Sequence, residues 1–248
     1  MREPPPARDW RKGIKSALPV LIFALLLGGC RSNTQLPLLT GNQGGLLPGM
    51  ILPQTNPPAK STAAPGFTGV QNQILPDGQI LRREFYSGVI ISETWFSSLR
   101  LPERTVVYQD GTSVAEVSEY DPGGKLARHT LFYPGSRQPL RYEEYSDGQH
   151  IVRFSTFWSN GNLHIISEVG VPTPNGPVNR VREWYSNGYP KSLTQTFVIR
   201  DDSGAAVRQE LHDEQTTWDE HGHVLSDQLF EHGRLVRDVL ADQLAGGH

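Results

Sequence analysis

The 248-residue chain holds 25 glycines and 19 prolines, together well above the roughly 12% of average proteins, which argues against a helical bundle and for many turns. A single cysteine excludes a disulfide scaffold and any cysteine-cluster metal site, and the net charge of −3 gives no electrostatic reason to expect nucleic acid. The length allows one or two domains.

Residues 1–29 read as an export signal. Arg8, Arg11, Lys12 and Lys15 form a basic stretch, and the apolar run from Ala17 to Leu27 follows it. That run is too short for a bilayer span, which needs roughly 20 apolar residues, and suits a signal-peptide core. It ends in Leu27-Gly28-Gly29-Cys30. This tetrapeptide resembles the lipobox of bacterial lipoproteins. Small residues at 28 and 29 let a peptidase reach the backbone, and the Cys30 thiol is the only soft nucleophile in the chain. The resemblance implies recognition through Leu27, Gly28 and Gly29, cleavage before Cys30, and a covalent diacylglycerol and acyl lipid on Cys30. One acyl chain binds a membrane only marginally, so stable anchoring takes two or three. Removing the leader takes away five basic and two acidic residues and leaves a net charge of −6, so the lipid and not a basic patch is the anchor. The residue after Cys30 is Arg31 and not the Asp that retains lipoproteins at an inner membrane, so the expected site is the cell envelope, at the outer membrane.

Residues 30–73 are rich in Pro, Gly, Gln, Asn, Ser and Thr and show neither helical nor strand periodicity. They read as a disordered tether behind the acylated cysteine.

Residues 74–240 have a different texture, in which an aromatic residue, a short polar turn with Gly, and an aliphatic residue recur. Phe85-Tyr86-Ser87-Gly88-Val89-Ile90, Trp158 to Leu163 and Phe230 to Leu235 show it most fully. Tyr145 to Gly148 and Tyr185 to Gly188 share its first half, and Tyr120 to Leu126 and Trp218 to Val224 carry one extra residue. The turn glycines include Gly88, Gly111, Gly148, Gly161, Gly188, Gly222 and Gly233, most of them separated by one step of ten to thirteen residues or a near-multiple. Short strands between Asn-Gly or Asp-Gly turns predict β-hairpins with type I′ turns. The expected fold is all-β: an antiparallel β-meander forming one elongated sheet, in which each repeat buries its neighbour's apolar face. Residues 168–181 and 197–215 break the step and read as insertions, and residues 241–248 as a flexible tail.

The repeated aromatic-x-x-Asn/Asp-Gly-x-Leu pattern resembles the variant MORN repeat of the YwqK-type proteins, often labelled antitoxins. The YD repeat of large wrapping shells matches less well, because such shells need far more repeats.

Aromatics before the turns read as core, with Trp95 and Trp184 as candidate exposed ligand-stacking residues. His221, His223 and His232 lie close in sequence, and an extended segment would put His221 and His223 on one face, where they would be the candidates for Zn²⁺ or Ni²⁺. The turn positions of His221 and His232, each directly before a glycine, account for both without a metal, and no HExxH or cysteine-pair spacing supports one. Neither metal ligands nor a dissociable cofactor are therefore assigned, and no nucleophile elbow, P-loop or Rossmann pattern points to catalytic residues. The expected function is a lipid-anchored, non-catalytic envelope protein whose sheet binds a protein partner. The alternatives are a toxin-neutralising role, implied by the family resemblance alone, and binding of cell-wall polysaccharide.

Overall fold

The computed structural model describes residues 63–203 and 206–245. The export signal, Leu27, Gly28, Gly29, Cys30 and the tether as far as residue 62 lie outside them, as do the last three residues of the expected tail.

The described chain is all-β, with fifteen strands in one antiparallel sheet. They are β1 (Gly69–Ile74), β2 (Ile80–Tyr86), β3 (Val89–Phe96), β4 (Pro102–Tyr108), β5 (Val114–Tyr120), β6 (Leu126–Phe132), β7 (Pro139–Tyr145) and β8 (Ile151–Phe157). The sheet continues through β9 (Leu163–Val171), β10 (Val178–Trp184), β11 (Pro190–Arg200), β12 (Ala206–Leu211), β13 (Asp213–Trp218), β14 (Val224–Glu231) and β15 (Arg234–Asp238). Neighbours in sequence are neighbours in the sheet from β1 to β11, so the order is a meander. β11 then serves two partners: Thr196–Arg200 pairs with β12, while Ser192 and Leu193 pair with β13. β1 and β15 are the two ends. The sheet begins at Gly69, inside the segment expected as tether, and the helix α1 (Val239–Ala245) replaces the first part of the expected tail. Val239 seals α1 onto the sheet, where it is buried against β14.

The loops follow one chemistry with five residues, not the expected two. In the loop from Asp121 to Lys125, the Asp121 N–H donates to the Lys125 carbonyl and the Gly124 N–H to the Asp121 carbonyl, both at 2.8 Å. The Asp121 carboxylate also accepts from the N–H groups of Gly123 and Lys125. The same pair of backbone bonds closes the loops at 158–162, 185–189 and 219–223. A turn that ends on a left-handed residue needs Gly in that place, and Asp or Asn before it satisfies the freed amides. Gly161, Gly188 and Gly222 occupy that fourth position with positive φ, while Gly111 and Gly148 hold a positive φ one place earlier, in the loops 109–113 and 146–150. Among the described residues, two-residue turns with positive φ at both positions occur at Ser87-Gly88 and His232-Gly233.

Register explains why the strands do not alternate cleanly in sequence. Tyr108 pairs with Val114, but Val107 pairs with Glu116, so Ala115 is an extra residue. That bulge flips the parity and returns Val117 to the face of Val114. The shift recurs beside the loop in most hairpins, and it fixes the packing pair of the repeat: Tyr120 on Leu126, Phe132 on Pro139, Tyr145 on Ile151, Phe157 on Leu163, Trp184 on Pro190 and Trp218 on Val224. Two of the motif's aromatics thus stand one residue past the paired position: the strand partner of Leu163 is Phe157, the residue before Trp158, and that of Pro190 is Trp184, the residue before Tyr185. The expected insertions are long hairpins, β9–β10 and β11–β12, within the same sheet.

Candidate interaction surface

Following each register pair from strand to strand assigns every side chain to one of two faces. The face that carries Val106, here the first face, has a row of aromatics along one rim. Phe85, Tyr108, Phe132, Phe157 and Trp184 are all buried there. Trp184 is 8% exposed, and Trp95 packs half-buried against the cluster around Phe85 and Val106 with the Arg104 guanidinium over its ring. Neither is the exposed stacking platform that the sequence allowed. Each large side chain so buried contributes about 1.5–3 kcal/mol.

The residues that lead the loops have a second task. Tyr133 donates its hydroxyl to the Phe157 carbonyl at 2.7 Å, Trp158 its ring N–H to the Trp184 carbonyl at 3.2 Å, and Tyr185 its hydroxyl to the Trp218 carbonyl at 3.0 Å. Loops along that rim are thus tied to one another, each reaching the next. Asn160 and Asn187 add further bonds, to the carbonyls of Ser186 and Glu220.

Two rows further from this rim, the first face carries a line of alternating charge. Register places Arg104, Glu119, Arg128, Glu144, Arg153, Glu168 and Arg180 on seven successive strands, each opposite the next. The Arg128 Nε lies 2.9 Å from the Glu119 carboxylate, and Arg153 sits between Glu144 and Glu168 at 3.9 and 3.8 Å. Arg182 adds a 2.8 Å contact to Glu168, and Gln195 accepts from Arg180 at the end of the line. Cross-strand ion pairs of this kind each contribute only about 0.2–1 kcal/mol. Their main effect is to make this face charged yet locally neutral. The sequence carries a signal for the ladder: Arg stands four residues before Tyr108, Phe132, Phe157 and Trp184 alike. Taken one strand at a time, the sequence does not reveal the line, because it does not state which strands are neighbours.

The second face is richer in Ser and Thr. Its middle row runs Thr94, Thr105, Ser118, His129, Glu143, Phe154, Ser167, Val181 and Thr194. An uncharged cleft lies on it among Ser167, Val169, Asn179, Val181, Thr194, Thr196 and Gln209. Apart from the cleft, at the centre of the second face, is an ion bridge. His129 lies 3.3 Å from Glu143 and 3.4 Å from Glu116, while Arg141 and the Tyr145 hydroxyl also bond Glu143. The two carboxylates raise His129 to about 9 against the opposing pull of burial. Burial pushes the Glu143 carboxyl up, but His129, Tyr145 and Arg141 together outweigh it and bring it down to about 2. Burial and then Glu143 raise Tyr145 to about 12. An imidazolium locked between two carboxylates has no free lone pair for general-base work near neutrality; the arrangement is a structural clamp. A second buried carboxylate, Glu93 on the first face, accepts the Tyr108 hydroxyl at 2.6 Å and pairs with Arg83 at 2.8 Å.

Of the three histidines named from sequence, the structure brings two together. His221 and His223 lie in one loop, with rings 6.2 Å apart, and share the Asp219 carboxylate, at 4.0 and 2.9 Å. His232 lies at the opposite rim, where its ring meets those of His212 and Phe197. One strand crossing separates the two sites. Among the described residues no three His, Cys, Asp or Glu side chains are grouped to hold a metal. No helix among them is long and apolar enough to cross a membrane. Compared with known proteins, the chain matches no family model, and no curated protein matches it significantly.

Proposed function

We propose that this is a lipid-anchored, non-catalytic protein of the cell envelope, at the outer membrane, whose variant MORN-like sheet binds a protein partner. The anchor rests on Leu27-Gly28-Gly29-Cys30. The observation that carries the binding reading is the fate of the repeat aromatics. They are spent on the strand-to-strand core and on tying loops together, which leaves two broad faces of ladder charge and hydroxyl groups. Such faces suit a polar protein surface better than a sugar, which needs open aromatic rings to stack on.

The test is in-cell photo-crosslinking from a position on each face, for example Thr105 and Glu119, with Cys30→Ser as the unanchored control. One envelope protein captured from one face by the anchored form supports the proposal. Capture of wall glycan turns the reading toward polysaccharide binding. Equal capture by the Cys30→Ser form removes the anchor from the account.

A further inference from the structure

Among the described residues β1 is an edge strand, and its composition is unlike that of the opposite edge. β15 carries Arg234, Arg237 and Asp238 and runs directly into α1, with Arg237 bonded to Asp242. Charges of that kind keep other strands away. β1 reads Gly-Val-Gln-Asn-Gln-Ile, with no charge and no proline. Its Val70 and Ile74 are 45% and 76% exposed.

The strand is also symmetric about Asn72. Val70 and Ile74 stand two residues to either side of it, and Gln71 and Gln73 one residue. The backbone phase shares this centre. Leu75 donates its N–H to Gln79 across the β1–β2 turn, and the ladder runs unshifted from there to Gly69. In an antiparallel ladder the inward and outward residues alternate. Leu75, Gln73, Gln71 and Gly69 therefore bond β2, and Ile74, Asn72 and Val70 turn their N–H and C=O groups to the outside.

We propose that β1 is the dimerisation edge of this protein and that its occupant is β1 of a second copy, antiparallel about a two-fold axis through Asn72. In that register Asn72 faces its own copy, Val70 faces Ile74 of the second copy, and Gln71 faces Gln73 of the second copy. The three outward residues of each strand meet as hydrogen-bonded pairs. An axis through Gln71 or Gln73 would also pair outward residues, but it would set Asn72 against Val70 or Ile74 and leave one outward residue of each strand without a β1 partner. The side chains pair aliphatic with aliphatic and amide with amide, which stabilises such contacts. The nearest like charges are the two Arg82 residues, three strand spacings or about 14 Å apart, beyond the roughly 8 Å over which charge acts in physiological salt. Each Arg82 is already paired with Glu84 at 2.8 Å. A two-fold contact of this kind is closed, so it joins two sheets and stops.

The inference is independent of which partner binds the faces. It is tested on the full chain with Cys30→Ser, so that an introduced thiol is the only one. The parent should sediment at twice its 27.6 kDa single-chain mass, and Asn72→Lys, an exposed edge change, should return it to that mass with an unaltered circular dichroism spectrum. Paired Cα atoms lie about 5.5 Å apart at a hydrogen-bonded position, within disulfide reach. Asn72→Cys should therefore crosslink to itself, while Gln71→Cys and Gln73→Cys should crosslink to each other when mixed and not to themselves. A single-chain mass at every concentration overturns the proposal, including the case in which β1 is shielded by earlier residues of its own chain. So does a double mass that survives Asn72→Lys, or crosslinking without preference for this register.

Discussion

Strands β4–β8 and strands β9–β13 are built from the same residue types and pair in the same antiparallel way, yet their regularity differs. In the first region each hairpin advances by twelve or thirteen residues, one bulge follows each loop, and each strand has a full-length neighbour on both sides. In the second, β11 runs for eleven residues, and its outer half has only β12 beyond it, a strand exposed along most of its length. The return strand breaks between β12 and β13 at His212 and Asp213, where Asp213 takes a φ of 59°. His212 is buried there and accepts the His232 N–H at 3.3 Å on Nδ1. Extra residues in a meander thus lengthen hairpins past the common row, and the added length packs on one side only. Regular loop spacing, more than strand composition, is what gives each strand two neighbours.

Core deletion should separate the two regions most strongly. Phe157→Ala, in the tight aromatic row, should cost about 3–5 kcal/mol. Phe197→Ala, half-buried in the outer part of β11, should cost less than half of that, about 1–2 kcal/mol. Paired urea titrations read both, and equal losses would remove the contrast.

Loop substitution should come next. At Gly111, φ is +81° and an added Cβ would sit 2.6 Å from Val89 Cγ1. Strain and overlap add there, so Gly111→Ala should cost about 2–4 kcal/mol. Gly170, in the extension of β9, has φ +68° but open space around it. Gly170→Ala should show the backbone strain alone, about 1–2 kcal/mol.

The clamp within the regular region should then give a pH signature. His129 is raised from 6.5 to about 9 by folding, so its contribution is complete below 6.5 and fades as pH rises through about 9. Glu143 is lowered from 4.5 to about 2, so its contribution is complete above 4.5 and fades as pH falls through about 2. The Tm gap between the parent and His129→Asn should be widest between pH 4.5 and 6.5 and close at alkaline pH. A gap that persists unchanged above pH 10 would assign His129 to packing alone.

The smallest effect needs no mutation. Amides of Val207 to Gln209 in β12 should exchange with deuterium well before those of Val117 and Thr130, because β12 has one neighbour and little burial.

Much of this architecture was legible in the sequence. Turn glycines at a short step, with short strands expected between them, led directly to the meander. That Phe157 pairs with Leu163 and Trp184 with Pro190 was not legible, because a bulge after each loop moves the pairing, and a bulge leaves no distinct letter in the chain. The ladder was missed although its Arg recurs four residues before four of the five rim aromatics. Its meaning depends on which strands are neighbours and on where parity flips. His232 was grouped with His221 and His223 because it lies eleven and nine residues from them in sequence, but in a meander one strand crossing carries the chain to the opposite rim. β1 was absorbed into the tether because Gln-Asn-Gln carries no strand periodicity; pairing with β2 is what makes it a strand.

The alternation of Arg104 to Arg180 has a further consequence, for error control while the sheet assembles. A strand that docks one place too far along the meander would set Arg against Arg or Glu against Glu, while a slip of two places restores the match. The line therefore acts as a parity check, rejecting single-strand insertions and admitting only whole hairpins. Beyond β4 the same row continues as Trp95, Leu81 and Gln73, so the check covers the middle of the sheet and stops three strands short of its β1 end.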